Sequence, residues 1–223
     1  MRAFLLGCAL GMAAPDAVDA WQFPDSLDME IDSAESGSQA AAQPALDTLL
    51  RLLHPGNIRA MGFQELADTS STTLGKPLAI LLVPLKGLRG FRPQDNPWGL
   101  VRRSRTIFYP VLVRGRARSA VVLGEDASRW RAVSYGGANA AMRSANAISI
   151  ADSLLGPGSR RYFRVDVLVP RTRFIGFEQA RRLILVPLID DRQGRWQVGV
   201  PLPAELVFAQ LAPEAIRYNE MPQ

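Results

Sequence analysis

Arginines at alternating positions are the residues of this chain best suited to chemistry. They fall into three short stretches, which contain Arg102, Arg103 and Arg105, then Arg114, Arg116 and Arg118, then Arg129 and Arg131. Alternate residues of a β-strand lie on one face of a sheet, so we expect a basic patch around one end of a hairpin. The guanidinium group binds phosphate or carboxylate through two parallel hydrogen bonds. The pattern therefore predicts a surface that binds anions or an acidic partner.

A compositional explanation of the same arginines stays open. The only lysines are Lys76 and Lys86, so arginine replaces lysine almost everywhere in the chain. In a protein with this bias, arginines at every second position also form the ordinary solvated face of an outer sheet.

The sequence contains no convincing catalytic group. His54 is the single histidine and lies before a proline at the expected end of an apolar helix, so we interpret it as a structural residue. The adjacent pairs Glu125–Asp126 and Asp190–Asp191 fall in expected turns, and neighbouring side chains of an extended chain point to opposite sides. Such pairs are poorly arranged for acid–base hydrolysis. We expect no enzymatic activity, with a hydrolase that uses Asp190 and Asp191 as the alternative.

Neither a metal site nor a cofactor site is expected. Cys8 is the only cysteine, so thiolate ligands and disulfides are lacking from the rest of the chain. Gly136 and Gly137 separate an expected strand from an expected helix, but the remainder of a nucleotide-binding motif is missing. We interpret the two glycines as a tight turn.

The N-terminus has the pattern of a secretory signal peptide. A short positive start at Arg2 precedes an apolar run from Ala3 to Ala14, which is too short to span a bilayer. Small residues then favour cleavage before Trp21, so residues 1–20 are predicted to be removed. Cys8 lies in a lipoprotein-like context, but the apolar stretch that normally precedes such a cysteine is missing, and we expect no lipid anchor. The predicted location is the periplasm or the exterior of the cell.

Charge is strongly segregated along the chain. The net charge is +5, from 26 basic and 21 acidic residues, yet no lysine or arginine occurs between Ala3 and Leu50. Residues 21–43 are acidic, rich in small residues and without clear periodicity, so we predict a flexible acidic arm. We also hypothesise that its carboxylates fold back and shield the arginine surface. The carboxylates in question are Asp25, Asp28, Glu30, Asp32 and Glu35.

Residues 44–223 are predicted to form one α+β domain. Short glycine-containing links between strands favour an antiparallel meander. We expect mainly antiparallel sheet with helices packed on one face. Helices are predicted at 44–54, 138–155 and 204–211, and strands at 78–83, 108–113, 117–123, 129–135, 162–169, 183–186 and 196–200.

A faint internal repeat is visible within this domain. The segment 62–67 followed by 81–85 is similar to the segment 176–180 followed by 184–188. One interpretation is duplication of a strand-containing unit, which gives two weakly similar halves. The other is that Val-Pro commonly ends a strand, because proline donates no ladder hydrogen bond.

Two strand sequences carry a resemblance to a known kind of module. An aromatic-Pro-Val strand at Tyr109–Val113 and a Trp-x-x-Val-Ser strand at Arg129–Tyr135 resemble the meander of PepSY or cystatin-like secreted α+β modules. The resemblance covers about thirty residues. It implies a non-enzymatic regulatory or binding unit and supplies no catalytic residue.

These features together predict a secreted or periplasmic accessory protein without catalysis. Its arginine-rich face would contact anionic envelope lipid or polymer, or an acidic protein. The alternative is nucleic-acid binding, for which Tyr109, Trp130 and Tyr135 would supply stacking surfaces beside the arginines. A true signal peptide argues against that alternative.

Overall fold

The computed structural model describes residues 23–127, 129–156, 160–168, 172–191 and 193–218. The predicted signal peptide, Cys8 and Trp21 lie outside the described residues. The described elements, in chain order, are α1 (Asp25–Leu52), β1 (Thr72–Leu74), β2 (Leu78–Val83), α2 (Leu85–Arg89), β3 (Arg102–Val113), β4 (Arg116–Asp126), β5 (Arg129–Tyr135), α3 (Ala138–Leu155), β6 (Phe163–Val167), β7 (Thr172–Gln179), β8 (Arg182–Pro187), β9 (Leu202–Pro203) and α4 (Ala204–Tyr218). Short 3₁₀ helices cover Leu66–Ser71 and Pro97–Gly99.

All described strands belong to one sheet, in the order β5-β4-β3-β2-β6-β7-β8-β9, and β1 pairs with the end of β3. Neighbouring strands run antiparallel except at the centre, where β2 and β6 are parallel. On each side of this seam, successive strands form a meander that is followed by a helix. The first meander, β2 to β5, precedes α3, and the second, β6 to β9, precedes α4.

Alternate residues of the strands divide the core between the two faces of the sheet. On β2, Ala79, Leu81 and Val83 pack in a core with α1, α2 and α4, whereas Leu78 and Ile80 pack in a core with α3. The part of the sheet formed by β3 and β4 contributes a second apolar cluster beneath α1. The helices therefore cover both faces.

The α+β class and the mainly antiparallel sheet predicted from sequence are confirmed. The expectation that the helices pack on one face is wrong, because the central strands are apolar on both sides. β2 is buried along nearly its whole length, and β7 and β8 also bury residues on both faces. Strands of this kind need a layer on each side.

The predicted flexible arm is also wrong over the described residues 25–43, because this segment is part of α1, which continues to Leu52. Its inward positions follow helical spacing, at Leu27, Ile31, Ala34, Ser38 and Ala42, and all five are buried. Small residues hold most of these positions, so hydrophobicity alone gave little indication of them. Pro44 lies inside the helix on its exposed side, and the expected helix start there is therefore wrong.

The C-terminal third differs from prediction in three places. β7 was not predicted, and residues 196–200 are irregular, with a turn at residues 198 and 199, in place of the predicted strand. α4 continues past Pro213 to Tyr218, because Leu211, Ala212 and Ala215 remain buried on both sides of the proline. This burial outweighs the loss of one helical hydrogen bond at proline.

The two copies of the sequence repeat do not occupy equivalent positions. Residues 81–85 end β2 at the parallel seam and lead into α2, whereas residues 184–188 end β8, two strands away from the seam. The succession of a meander and a helix is repeated in the fold, but in that succession β2 corresponds to β6. The sequence similarity thus does not follow the topological repeat.

A buried hydrogen bond fixes α1 against the sheet. The Tyr109 hydroxyl lies 2.7 Å from Ser38 Oγ, and Ser38 Oγ donates to the Glu35 carbonyl oxygen at 2.9 Å. Ser38 is completely buried and Tyr109 is 3% exposed. Because Ser38 donates its only hydroxyl proton to the Glu35 carbonyl oxygen, the Tyr109 hydroxyl is the donor in the bond between the two side chains.

We predict that Ser38→Ala destabilises the protein more than Tyr109→Phe does. Ser38→Ala leaves the buried tyrosine hydroxyl without its partner, at a cost of about 2 kcal/mol, whereas Tyr109→Phe leaves Ser38 bonded to Glu35, at about 1 kcal/mol. Urea denaturation of both variants measures the difference. Ser36→Ala, on the exposed side of α1, is the control and should change little. The reverse order of the two costs would contradict this assignment of the bond.

Candidate functional site

The eight predicted arginines form two groups at opposite ends of the meander. Arg114, Arg116 and Arg118, which we call the hairpin arginines, surround the β3–β4 turn. The distal arginines lie where β3 and β5 begin and β4 ends; they are Arg102, Arg103, Arg105, Arg129 and Arg131. At about 3.4 Å per residue, the intervening length of β3 separates the groups by roughly 27 Å. The expected single patch around one hairpin end is therefore wrong.

Carboxylates neutralise part of each group. Among the distal arginines, Arg103 is paired with Glu125 at 3.2 Å and Arg131 with Asp126 at 2.8 Å. Among the hairpin arginines, Arg114 lies 3.5 Å from Asp68. In the described part of the chain, no carboxylate lies within the 4.0 Å ion-pair distance of Arg116 or Arg118.

A hollow of about 500 Å³ lies beside the hairpin arginines. Arg118 lines it together with Arg59, which belongs to the turn after α1 and is also without a carboxylate within ion-pair distance among the described residues. Gly62, Phe63 and Met142 complete much of the wall. Arg59 stands alone outside the alternating pattern and was not among the predicted arginines. Two arginines facing one hollow can hold an anion by charge and by bidentate hydrogen bonds.

Gly62 makes this geometry possible. Its φ is +95°, and an added Cβ would lie 1.8 Å from the Arg118 carbonyl oxygen. The turn that carries Arg59 therefore crosses the bulge of β4 in direct backbone contact with Arg118, where any side chain would prevent the approach. β4 bulges at this point, because Val111 pairs with Ser119 and Leu112 with Ala117.

A second concavity, a cleft of about 800 Å³, opens where the sheet is interrupted between β1 and β2. β1 and β2 both pair with β3, but the link Gly75–Pro77 separates the two strands. β6 pairs with β2 only from Ile80 onward, so no described strand pairs with the link on the side opposite β3. Residues of α1, α3 and the approach to β6 close the sides of the cleft. For this reason the cleft contacts both helical layers.

Most charged groups of this cleft are already paired with one another. Arg161 forms ion pairs with Asp28 and Asp32 of α1. The Tyr162 hydroxyl donates to Asp152 Oδ1 at 2.5 Å. Burial, and then this bond to a carboxylate, raise the pKa of Tyr162 to about 12. Tyr162 therefore stays protonated at neutral pH and holds α3 against the start of β6.

Glu35 differs from its neighbours in the cleft. It lies half-buried on the same side of α1 as Asp28 and Asp32. Burial raises the pKa of its carboxyl, Arg161 opposes that shift, and Asp32 and Asp28 add to it. Among the described residues, no basic side chain lies within ion-pair distance of Glu35. It is thus an uncompensated acid at the wall of a concave site.

The shielding hypothesis finds limited support in these contacts. Asp28 and Asp32 pair with Arg161, which was not among the predicted arginines, and Glu30 lies 3.9 Å from Arg103. These pairs form because α1 is a docked helix and not because a flexible arm folds back. Within the described residues, no carboxylate of α1 pairs with a hairpin arginine.

The aromatic residues proposed for nucleic-acid stacking do not accompany the exposed arginines. Tyr109 is buried, and Trp130 and Tyr135 pack in the apolar cluster beneath α1. The indole of Trp130 lies close to the backbone of α1, 3.0 Å from the position that a Cβ on Gly37 would take. These rings contribute to the core and not to a stacking surface.

Local structure accounts for the remaining sequence candidates. His54 accepts a hydrogen bond from the Gly56 amide just after α1. Asp191 accepts hydrogen bonds from the Arg195 side chain, and Asp190 accepts one from the Val198 amide, so both stabilise the 190–198 turn. Gly136 and Gly137 have φ values of +94° and +79° and join β5 to α3. The described residues contain no group of three or more potential metal ligands.

Comparison with protein-family models, with curated proteins and with solved structures finds no match. Of the helices described, none is both long and apolar enough to cross a membrane.

Gly62→Ala is expected to destabilise the protein by at least about 2 kcal/mol, because it combines strain at positive φ with a clash against the β4 backbone. Gly115→Ala is the matched control, since Gly115 also has positive φ (+75°) but an added Cβ would meet nothing within 4 Å. We expect about 1 kcal/mol for that variant. Equal costs in thermal and urea denaturation would show that the backbone contact at Gly62 is unimportant.

Glu35→Gln is expected to gain stability relative to the wild type as the pH rises. The raised pKa of Glu35 means that the unfolded chain loses this proton at a lower pH than the folded chain does. The contribution of Glu35 to stability is therefore greatest below its pKa in the unfolded chain, about 4.3. This contribution is lost as the pH rises through the pKa of Glu35 in the folded protein. Denaturation at about pH 4 and about pH 7 tests this, with Glu178→Gln as an exposed control. A stability difference independent of pH would contradict the shift.

Proposed function

We propose that the protein is a secreted or periplasmic, non-catalytic binding protein whose hairpin end contacts anionic groups of the cell envelope. The observation that carries this proposal is the hollow that Arg59 and Arg118 line together. Neither arginine has a carboxylate within ion-pair distance in the described part of the chain. Arg116, one strand position from the turn, extends the same basic surface.

The chemistry of this surface favours phosphate and carboxylate ligands. Guanidinium groups bind both through paired hydrogen bonds, and an uncompensated pair at a concave surface attracts anions more strongly than scattered charges do. Anionic lipid head groups and anionic polymer present such groups at high density. An acidic protein patch would use the same arginines, in which case the partner replaces the membrane surface.

The rest of the molecule is consistent with a peripheral contact. The distal arginines are partly neutralised by Glu125 and Asp126, and Arg161 is neutralised by α1. Arg102, Arg105 and Arg129 at the distal end also lack a carboxylate within ion-pair distance among the described residues, so the hairpin end is distinguished by its hollow and not by its charge alone. A contact of this type weakens as salt increases, because screening reduces the attraction between the basic surface and the anions.

Binding to anionic vesicles tests the proposal. We expect the protein to sediment with vesicles that contain phosphatidylglycerol and to be released as salt increases. The double variant Arg59→Gln/Arg118→Gln should bind at least tenfold more weakly, since each arginine near an anionic surface contributes about 1 kcal/mol.

The control is Arg105→Gln/Arg129→Gln at the distal end, which removes the same charge and should weaken binding much less. Equal weakening in both variants would contradict a localised site. Failure of the wild-type protein to bind at low salt would overturn the lipid surface as the ligand, and titration with soluble anionic polymer would then decide whether the hairpin end binds anions at all.

A further inference from the structure

The cleft between α1 and α3 contains two charged groups of opposite sign that the fold leaves uncompensated. Glu35 lies on the α1 wall, and Lys76 lies on the link between β1 and β2. Neither forms an ion pair with any residue that the structure describes. The other charged side chains that line the cleft are all paired; they are Asp28, Asp152, Arg160 and Arg161. The cleft thus presents one acid and one base to whatever occupies it.

Apolar side chains line much of the same cleft. Pro77, Leu78, Pro110, Leu112 and Ile148 line the same cleft, and they come from the β1–β2 link, β2, β3 and α3. Pro110 is buried in the sheet, and Leu112 and Ile148 are half-buried. An apolar floor with a few polar groups at fixed positions is the usual composition of a site for small molecules.

We propose that this cleft binds a short peptide with free ends, whose ammonium group pairs with Glu35 and whose carboxylate pairs with Lys76. The apolar side chains of the peptide would cover the proline and leucine floor. The cleft volume of about 800 Å³ falls in the range of pockets that bury drug-sized ligands and exceeds what a single amino acid fills. This site is separate from the hairpin arginines, and the inference does not depend on the proposed function.

Charge complementarity favours a zwitterion over an ion of either sign. The α1 wall carries the three carboxylates Asp28, Asp32 and Glu35 against the single guanidinium of Arg161, so its net negative charge favours an ammonium group. A carboxylate placed there would be repelled, whereas beside Lys76 it gains a partner. A ligand with only one charge would leave either the half-buried Glu35 or the exposed Lys76 without a partner, and the loss of binding free energy is greater at Glu35 because its carboxylate is partly desolvated.

The first experiment compares blocked peptides on the wild-type protein by isothermal titration calorimetry. The probes are the tripeptide Ala-Leu-Ala, its N-acetyl form and its C-terminal amide. We expect the free peptide to bind and each blocked form to bind at least tenfold more weakly. Absence of binding of the free peptide at millimolar concentration, or equal binding of all three peptides, would overturn the proposal.

The second experiment assigns each end of the peptide to its residue. In Glu35→Gln the free and N-acetyl peptides should bind equally, and in Lys76→Gln the free and amide peptides should do so. Asp25→Asn, at the exposed start of α1, and Lys86→Gln, the only other lysine, are matched controls that should keep the wild-type discrimination. If a control loses discrimination as the cleft variants do, the assignment is wrong. Circular dichroism verifies that each variant is folded. If a variant does not fold, the comparison of free and blocked peptides on the wild-type protein still tests the proposal.

Discussion

The close approach of α1 to the sheet is the contact on which the rest of the structure depends. Small buried residues of the helix, Ala34, Ser38, Ala42 and Ala45, allow it to lie directly over β3, β4 and β5. Leu46 and Leu49 then fill the apolar cluster beneath its second half. Without this helix, Tyr109 and Trp130 would be exposed and one wall of the cleft would be missing. The N-terminal segment is thus a structural layer of the domain.

The same helix determines the distribution of charge. Its acidic side meets Arg161 and lies near Arg103, so intramolecular pairs use part of the acid and part of the base. Exposed pairs of this kind contribute little to stability individually. Their larger effect is on which charged groups of the concave sites keep no ion-pair partner among the described residues, among them Arg59 and Arg118 in the hollow and Glu35 in the cleft. The charge that is segregated along the sequence is therefore also segregated between surfaces of the folded protein.

Strong periodicity and turn chemistry made the meander and α3 predictable. The β3–β4 turn at Arg114–Gly115 has positive φ at both residues, as a two-residue hairpin requires, and α3 spans the predicted residues 138–155. α1 was not predicted before Pro44 because alanine and serine occupy much of its buried stripe, and because a proline is the usual start of a helix and not an interior residue. The helical structure of such a segment is determined by its burial against a sheet, which cannot be inferred from local sequence propensity.

The candidate sites were predictable only in part, because each combines residues that are distant in sequence. Arg118 was predicted, but its partner in the hollow, Arg59, stands in a turn that Gly62 brings against β4. Glu35 was noted as one acid among several in a supposed arm. Its role in a cleft wall depends on α3 and on the approach to β6. The residue types of both sites are visible in the sequence, whereas their proximity follows from the order of the strands in the sheet.

The parallel pairing of β2 with β6 has a consequence for how the chain folds. Each meander is built from neighbours in sequence, so its contacts close short loops and carry a small entropic cost. The seam joins Ile80 to Arg164 across all of β3, β4, β5 and α3, and it is a non-local contact of the type that slows folding. The cleft lies at one end of this seam. Its walls therefore come together only when the two halves have joined, which makes an assembled cleft a marker of the completed domain.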